Sequence, residues 1–189
     1  MRLGILGGSF DPPHVGHLLA ASDAVEALGL DRLIFVPAGI SPFKTHTPPA
    51  DGAHRLAMLE LMVKGDSRFG VDSLEIDRSG LSYTVDTVSA LHDRWPEASL
   101  TLLAGADAAA ALDGWRDIQR ILSMARIAVL RRGRQHFAFP AGITGQVLDT
   151  RQVDVSSTEI RQRIRSGASI HGFVPESVAA YVASAGLYR

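Results

Sequence analysis

The chain has 189 residues, 46% of them hydrophobic and 21% charged, with a formal net charge of −1. That apolar share is enough for a packed core and argues against disorder, while the near-neutral charge offers no basic field to make nucleic acid the main partner. The absence of cysteine excludes disulfides, thiolate metal sites and thiol nucleophiles, and no apolar run approaches the roughly 20 residues needed to span a bilayer.

Residues 2–6 read as a strand, apolar and uninterrupted as in parallel sheets buried on both faces. The chain then runs through Gly7-Gly8-Ser9-Phe10-Asp11-Pro12-Pro13-His14-Val15-Gly16-His17 into a helix over 15–28. Gly29 is placed to end that helix in a left-handed conformation. Residues 33–36 form the next strand, closed by Pro37. The connection 38–52, rich in Pro, Thr and Gly, is long enough to suggest a functional loop. Residues 53–63 have helical spacing through Leu56, Leu59, Met62 and Val63. A strand over 69–76 is followed by a helix over 83–94 with Val85, Val88 and Leu91 on one face. Strand 100–104 precedes a helical stretch, 107–122, interrupted at Asp113-Gly114. Strand 127–130, a loop over 131–145 and a short strand over 147–150 follow. Helices over 157–165 and 175–185 come last, with Pro175 in the first turn of the latter.

Strands alternating with helices predict an α/β fold: a Rossmann-like, doubly wound, mainly parallel sheet with helices on both faces and a small C-terminal helical extension. With no repeat and no linker, residues 1–189 read as a single domain. In such folds the ligand sits beyond the carboxyl ends of the strands, where strand order reverses. The segment 7–17 follows the first strand and falls there.

A strand leading through glycines into a helix start aims backbone N–H groups at a phosphate. His14 and His17 stand three apart at that helix start and so share one side of its first turn. Protonated, both could donate to charge developing on a phosphoryl group. A lone histidine here would more often be a cap or a satisfied core residue; a pair after two glycines shifts the balance toward chemistry. The Walker spacing and the dinucleotide G-x-G-x-x-G are both absent.

The segment Val155-Ser156-Ser157-Thr158-Glu159-Ile160-Arg161 offers hydroxyls and an arginine at another helix start, a second phosphate cradle. Capping alone is the plain alternative, with Ser156 as N-cap and Glu159 completing a capping box. Asp107, just past a strand in Gly105-Ala106-Asp107, can bond ribose hydroxyls or cap a helix. Trp115 alone would most often be core.

The run 7–17 resembles the H-x-G-H region of the nucleotidylyltransferase superfamily, and its G-G-S-F-D-P-P-H-V-G-H form is similar to the bacterial nicotinate-nucleotide adenylyltransferase branch. Residues 155–161 resemble that family's [IV]-S-S-T-x-I-R motif, residues 82–87 its [ST]-Y-T-x-[DE]-T stretch, and Gly105-Ala106-Asp107 with Trp115 its G-A-D…W pattern. Two positions depart: Arg116 stands where an aromatic residue is frequent, and Arg131-Arg132-Gly133 replaces R-P-G.

The resemblance implies adenylyl transfer from ATP to nicotinate mononucleotide, giving deamido-NAD and pyrophosphate. It implies His14 and His17 as catalytic residues. It implies ATP binding by Gly7, Gly8, Ser9, Phe10, His14, His17, Ser156, Ser157, Thr158 and Arg161. It implies mononucleotide binding by Lys44, Thr84, Asp107 and Trp115. Mg²⁺ is expected on ATP oxygens and water, because the sequence offers no carboxylate cage for it. A nicotinamide mononucleotide or phosphopantetheine adenylyltransferase, or a non-catalytic nucleotide-binding module, stays open as an alternative. The phosphopantetheine branch typically has threonine at the position of His14. The start of the chain is a poor secretory signal, so the expectation is a cytoplasmic protein with neither nucleic-acid nor membrane partners. A homo-oligomer is compatible with the chain.

Overall fold

The computed structural model describes residues 1–40, 50–78, 80–133 and 136–189. Among the described residues, β1 (Arg2–Gly8), β2 (Arg32–Pro37), β3 (Phe69–Val71), β4 (Ser99–Gly105), β5 (Ala125–Arg132) and β6 (Gln146–Thr150) form one sheet in the order β3-β2-β1-β4-β5-β6. Every pairing is parallel. The helices are α1 (Val15–Leu28), α2 (Gly52–Val63), α3 (Thr84–Arg94), α4 (Ala106–Ala109), α5 (Ile118–Met124), α6 (Ser157–Arg165) and α7 (Glu176–Ser184).

The apolar strands alternate faces. Leu6, Leu33, Phe35, Leu103 and Ala128 enter one core with Ala21, Met58, Leu59 and Val178; Leu3, Ile5, Ile34, Leu102 and Ile127 enter the other with Val85, Leu91 and Ile121. Strands apolar on both sides require helices on both faces. Each large side chain so buried contributes roughly 1.5–3 kcal/mol by leaving water. The strand order reverses between β1 and β4. The crevice beyond Gly8 and Gly105, at the two carboxyl ends, is therefore the place this topology offers a ligand.

Helices α1 and α6 have the bounds that the sequence predicts, and Gly29 ends α1 at φ 57°. Five expectations change. The helical stretch expected over 107–122 with an interruption at Asp113-Gly114 is broken into α4, a 3-10 turn at Leu112–Gly114 and α5 from Ile118. β3 stops at Val71 rather than Ile76: Asp72 Oδ1 accepts the Leu74 N–H at 3.1 Å and Ser73 O accepts the Ile76 N–H at 2.8 Å, so the chain turns at this sheet edge. The buried stripe of α2 is Arg55, Met58, Leu59 and Met62, one residue round from the predicted face. Arg131 and Arg132 lie in β5, paired with Asp149 and Thr150 of β6, rather than in a loop. Pro175 is the N-cap of α7, just before its first turn.

Candidate active site

The loop from β1 to α1 is built around an inward aromatic ring. Phe10 sits at φ 48°, in the left-handed region, and is 2% exposed. Its ring packs edge-on against Phe35 at 5.7 Å and His17 at 5.0 Å. A Cβ at Gly8 would stand 2.8 Å from Phe10 Cζ, so glycine is required under that ring. The Phe10 side chain thus belongs to the core and leaves its backbone for a ligand.

His14 caps α1 from extended backbone (φ −145°, ψ 170°) and is 2% exposed; His17 is half-buried. Their rings stack with centroids 3.7 Å apart and planes 30° apart. The His14 N–H donates to His17 Nδ1 at 3.2 Å. In the neutral ring that acceptor role puts the proton on Nε2, making that atom the donor. A Cβ on Gly16 would lie 3.0 Å from His14 Nδ1, which is why the residue between the histidines is glycine. No acidic residue occupies the first turn of α1, so nothing there competes with an anion for the positive end of the helix.

The second motif meets the first. Ser157 Oγ donates to Pro12 O at 2.9 Å, and Arg161 Nη1 donates to Asp11 O at 2.6 Å. Arg161 Nη2 also donates to Thr158 Oγ1 at 3.2 Å. Residues some 145 positions apart therefore share one small volume beside the histidines. Ser156 does cap α6, accepting the Glu159 N–H at 3.1 Å; the reciprocal arm of a capping box is not formed.

Three residues of this neighbourhood escaped sequence reasoning. Arg55, 4% exposed, donates from Nε to Ala50 O (2.9 Å) and from Nη1 to Ser9 O (3.0 Å) and Ala38 O (2.7 Å). It ties the loop after β1 to the end of β2. Burial pulls its pKa below the ordinary arginine value, and the Asp11 charge opposes that. Asp11 accepts from Ala50 N–H and from Tyr188 Oη. Arg55 had a signal in its spacing with Met58, Leu59 and Met62; Tyr188 had none.

On the other side of the crevice, Asp107 lies exposed in the first turn of α4 and does not cap it; Gly105 is the N-cap. Side chains at Gly7 or Gly105 would stand in open space, so the crevice between the two strand ends has room. Thr84 is the first residue of α3 and half-buried. Trp115, also half-buried, packs against the core beside α3. The residues next to Thr84 and Trp115 touch: the Arg116 guanidinium lies 4.5 Å over the Tyr83 ring. Glu75 accepts from Thr87 Oγ1 at 2.6 Å and from Gly39 N–H at 3.3 Å, fixing α3 to the end of β2. Lys44 lies outside the described residues.

A fully parallel sheet with two stacked histidines at its switch point and a serine-capped arginine helix beside them belongs to the cytidylyltransferase-like class, and the family model of that description matches residues 5–163. A probable nicotinate-nucleotide adenylyltransferase of Gemmatimonas aurantiaca is 52% identical over 198 residues, covering 100% of this chain and 93% of the relative. One from Roseiflexus sp. is 43% identical, covering 99% and 98%. In structure, the Plasmodium falciparum nicotinic acid mononucleotide adenylyltransferase complexed with NaAD superposes with a TM-score of 0.76 at 18% identity, over 99% of this chain and 97% of that one. The chain belongs to the nicotinate-nucleotide adenylyltransferase family.

Proposed function

We propose that this protein transfers the adenylyl group of ATP to nicotinate mononucleotide, in NAD biosynthesis, with the stacked histidines and the start of α6 as the two sides of a triphosphate clamp. The observation that carries this is the junction of the two motifs, Ser157 to Pro12 O and Arg161 to Asp11 O, beside His14 and His17. An oxygen of the mononucleotide 5′-phosphate forms the new bond to the α-phosphorus. The bond from that phosphorus to the β-bridging oxygen breaks, and pyrophosphate leaves with its electron pair. The attacking phosphate is already an anion near neutral pH, so no general base is required. Positioning and electrostatic stabilisation supply the catalysis.

His17 donates from Nε2 to the phosphate undergoing transfer, and His14 braces it and shares the charge. The amides of Gly7, Gly8, Ser9 and Phe10 approach the nucleotide. Ser156, Ser157, Thr158 and Arg161 hold the leaving pyrophosphate. Asp107 takes hydroxyl groups, Thr84 and Trp115 receive the pyridine ring, and Lys44 reaches substrate phosphate. Among the described residues no three His, Asp or Glu side chains gather as a metal cluster; that donor set suits Mg²⁺ carried on phosphate oxygens and water. Bound there, it would neutralise triphosphate charge. Residues 1–189 act as one domain, in the cytoplasm; no helix among the described residues is long and apolar enough to cross a membrane.

The test is a paired assay of pyrophosphate release from ATP with nicotinate mononucleotide, with nicotinamide mononucleotide and with neither. Faster release with the nicotinate substrate is expected. Equal or faster release with the amide would reassign the acceptor, and no release in any arm would leave a binding module.

A further inference from the structure

Asp11 is 7% exposed, and distant parts of the chain meet on its carboxylate. Tyr188 Oη donates to Oδ1 at 2.7 Å, and the Ala50 N–H donates to the same oxygen at 3.0 Å. The other oxygen, Oδ2, stands 3.6 Å from Arg161 Nη1, while that nitrogen makes its short bond, 2.6 Å, to the Asp11 carbonyl. A carboxylate facing a guanidinium normally closes to about 2.8 Å, and to both nitrogens where it can. Here Oδ2 stays at 3.6 Å while Oδ1 takes both donors.

Tyr188 is well suited to that task. Burial first, and the Asp11 bond second, push its phenol far above the ordinary value, so it remains a donor. Its backbone sits at φ 66°, a conformation that an aromatic residue keeps only where its surroundings fix it, and its side chain packs against the core on the α1 and α2 side of the sheet. Arg55, a second cation near Asp11 among the described residues, has its Nε and Nη1 engaged with three carbonyls.

We propose that Tyr188 is a positioning residue for the phosphate grip: with the Ala50 N–H it restrains the Asp11 carboxylate, so that the remaining N–H groups of Arg161 stay available to the pyrophosphate end of ATP. This rests on the reading of Arg161 as a phosphate ligand. Without the hydroxyl, Asp11 closes on Arg161 and competes with phosphate from inside the protein. The damage would then come from the carboxylate charge, and neutralising that charge should repair it.

The experiment is calorimetric titration of the full chain with inorganic pyrophosphate and Mg²⁺, alongside steady-state kinetics, for wild type, R161A, Y188F, D11N and the Y188F/D11N pair. R161A should weaken binding by about tenfold or more. Y188F should weaken it by about three- to tenfold, raise KM for ATP and leave KM for the mononucleotide unchanged. Asp11→Asn keeps an acceptor for both donors and removes the competing charge. D11N alone should therefore bind pyrophosphate at least as well as wild type, and in the Y188F background it should restore the lost affinity. A merely structural hydroxyl predicts the opposite, with the pair weaker than either single variant. That result, or Y188F binding like wild type beside a weakened R161A, overturns the proposal alone. An unchanged R161A would remove the reading of Arg161 and this inference with it. Should Y188F not fold, a D11N that binds pyrophosphate more weakly than wild type is enough to overturn it.

Discussion

The backbone N–H of His14 donates to Nδ1 of His17 at 3.2 Å, so the second histidine of the motif is oriented by the peptide of the first. The bond fixes which nitrogen of His17 can donate outward, and stacking at 3.7 Å fixes where the ring lies. His17→Ala removes that donor, together with the edge contact on the buried Phe10 ring and the acceptor of the His14 N–H. Its kcat should fall by about 10²–10³-fold, the scale for losing one preorganised donor to a developing anion. Circular dichroism should match wild type, with thermal unfolding lowered only slightly by the lost cap acceptor and the uncovered Phe10 edge. Near-normal turnover in the purified variant would end the catalytic assignment.

Gly16→Ala is a subtler perturbation of the same pair. The new Cβ would stand 3.0 Å from Nδ1 and 3.1 Å from Cε1 of the buried His14 ring, so the ring must move by a few tenths of an ångström. Gly16 is the second residue of α1, so the roughly 1 kcal/mol that alanine gains over glycine in a helix interior is an upper bound on what offsets the strain. Stability should change little while kcat falls by about tenfold, since small displacements of reacting groups are costly. A wild-type kcat with wild-type unfolding would show that the ring needs no such clearance.

Arg55→Met keeps an apolar stem and removes the guanidinium. It removes a donor from the carbonyls of Ser9, Ala38 and Ala50 and takes one cation from the surroundings of Asp11. Breaking a buried charged network of this kind costs about 3 kcal/mol or more. Denaturant unfolding should show a lower midpoint at unchanged slope; a loss under about 1 kcal/mol would mean that water reaches those carbonyls freely.

Acid sensitivity has an identifiable surface component. Arg68 grips Asp66 through Nε (3.0 Å) and Nη2 (2.7 Å), and that side-chain hydrogen bonding holds the carboxyl below its ordinary 3.8. A carboxyl depressed in the folded state stabilises the fold above its unfolded pKa, and this contribution is lost as pH falls through the lower, folded value. Asp66→Asn should therefore be slightly less stable than wild type near pH 7, and the gap should close below about pH 4. A gap that persists at pH 2 would point to packing rather than charge.

Much of the architecture is legible along the chain. The bounds of α1 and α6 follow from local signals, a left-handed glycine after Leu28 and a serine cap before Ser157. The alternating apolar strands require a two-faced parallel sheet. The histidine pair and the Ser-Ser-Thr segment stand out as candidates because glycines and helix starts are themselves local phosphate-binding devices.

Other features depend on which surfaces meet. Phe10 lies in the middle of the nucleotide motif, yet its ring is buried because Phe35 and His17 offer it apolar cover. The stripe of α2 is rotated so that Arg55 reaches three carbonyls supplied by other segments. The Tyr188 bond to Asp11 joins residues 177 positions apart, a distance over which no periodicity or cap can speak. The sequence by itself determined the sheet type, most of the elements and the candidate residues for phosphate, because each rests on hydrogen bonding and apolar spacing within a few residues. Only the tertiary structure decided how the two phosphate motifs are braced against each other, because that bracing consists of buried polar contacts, and their partners exist only once the chain has closed.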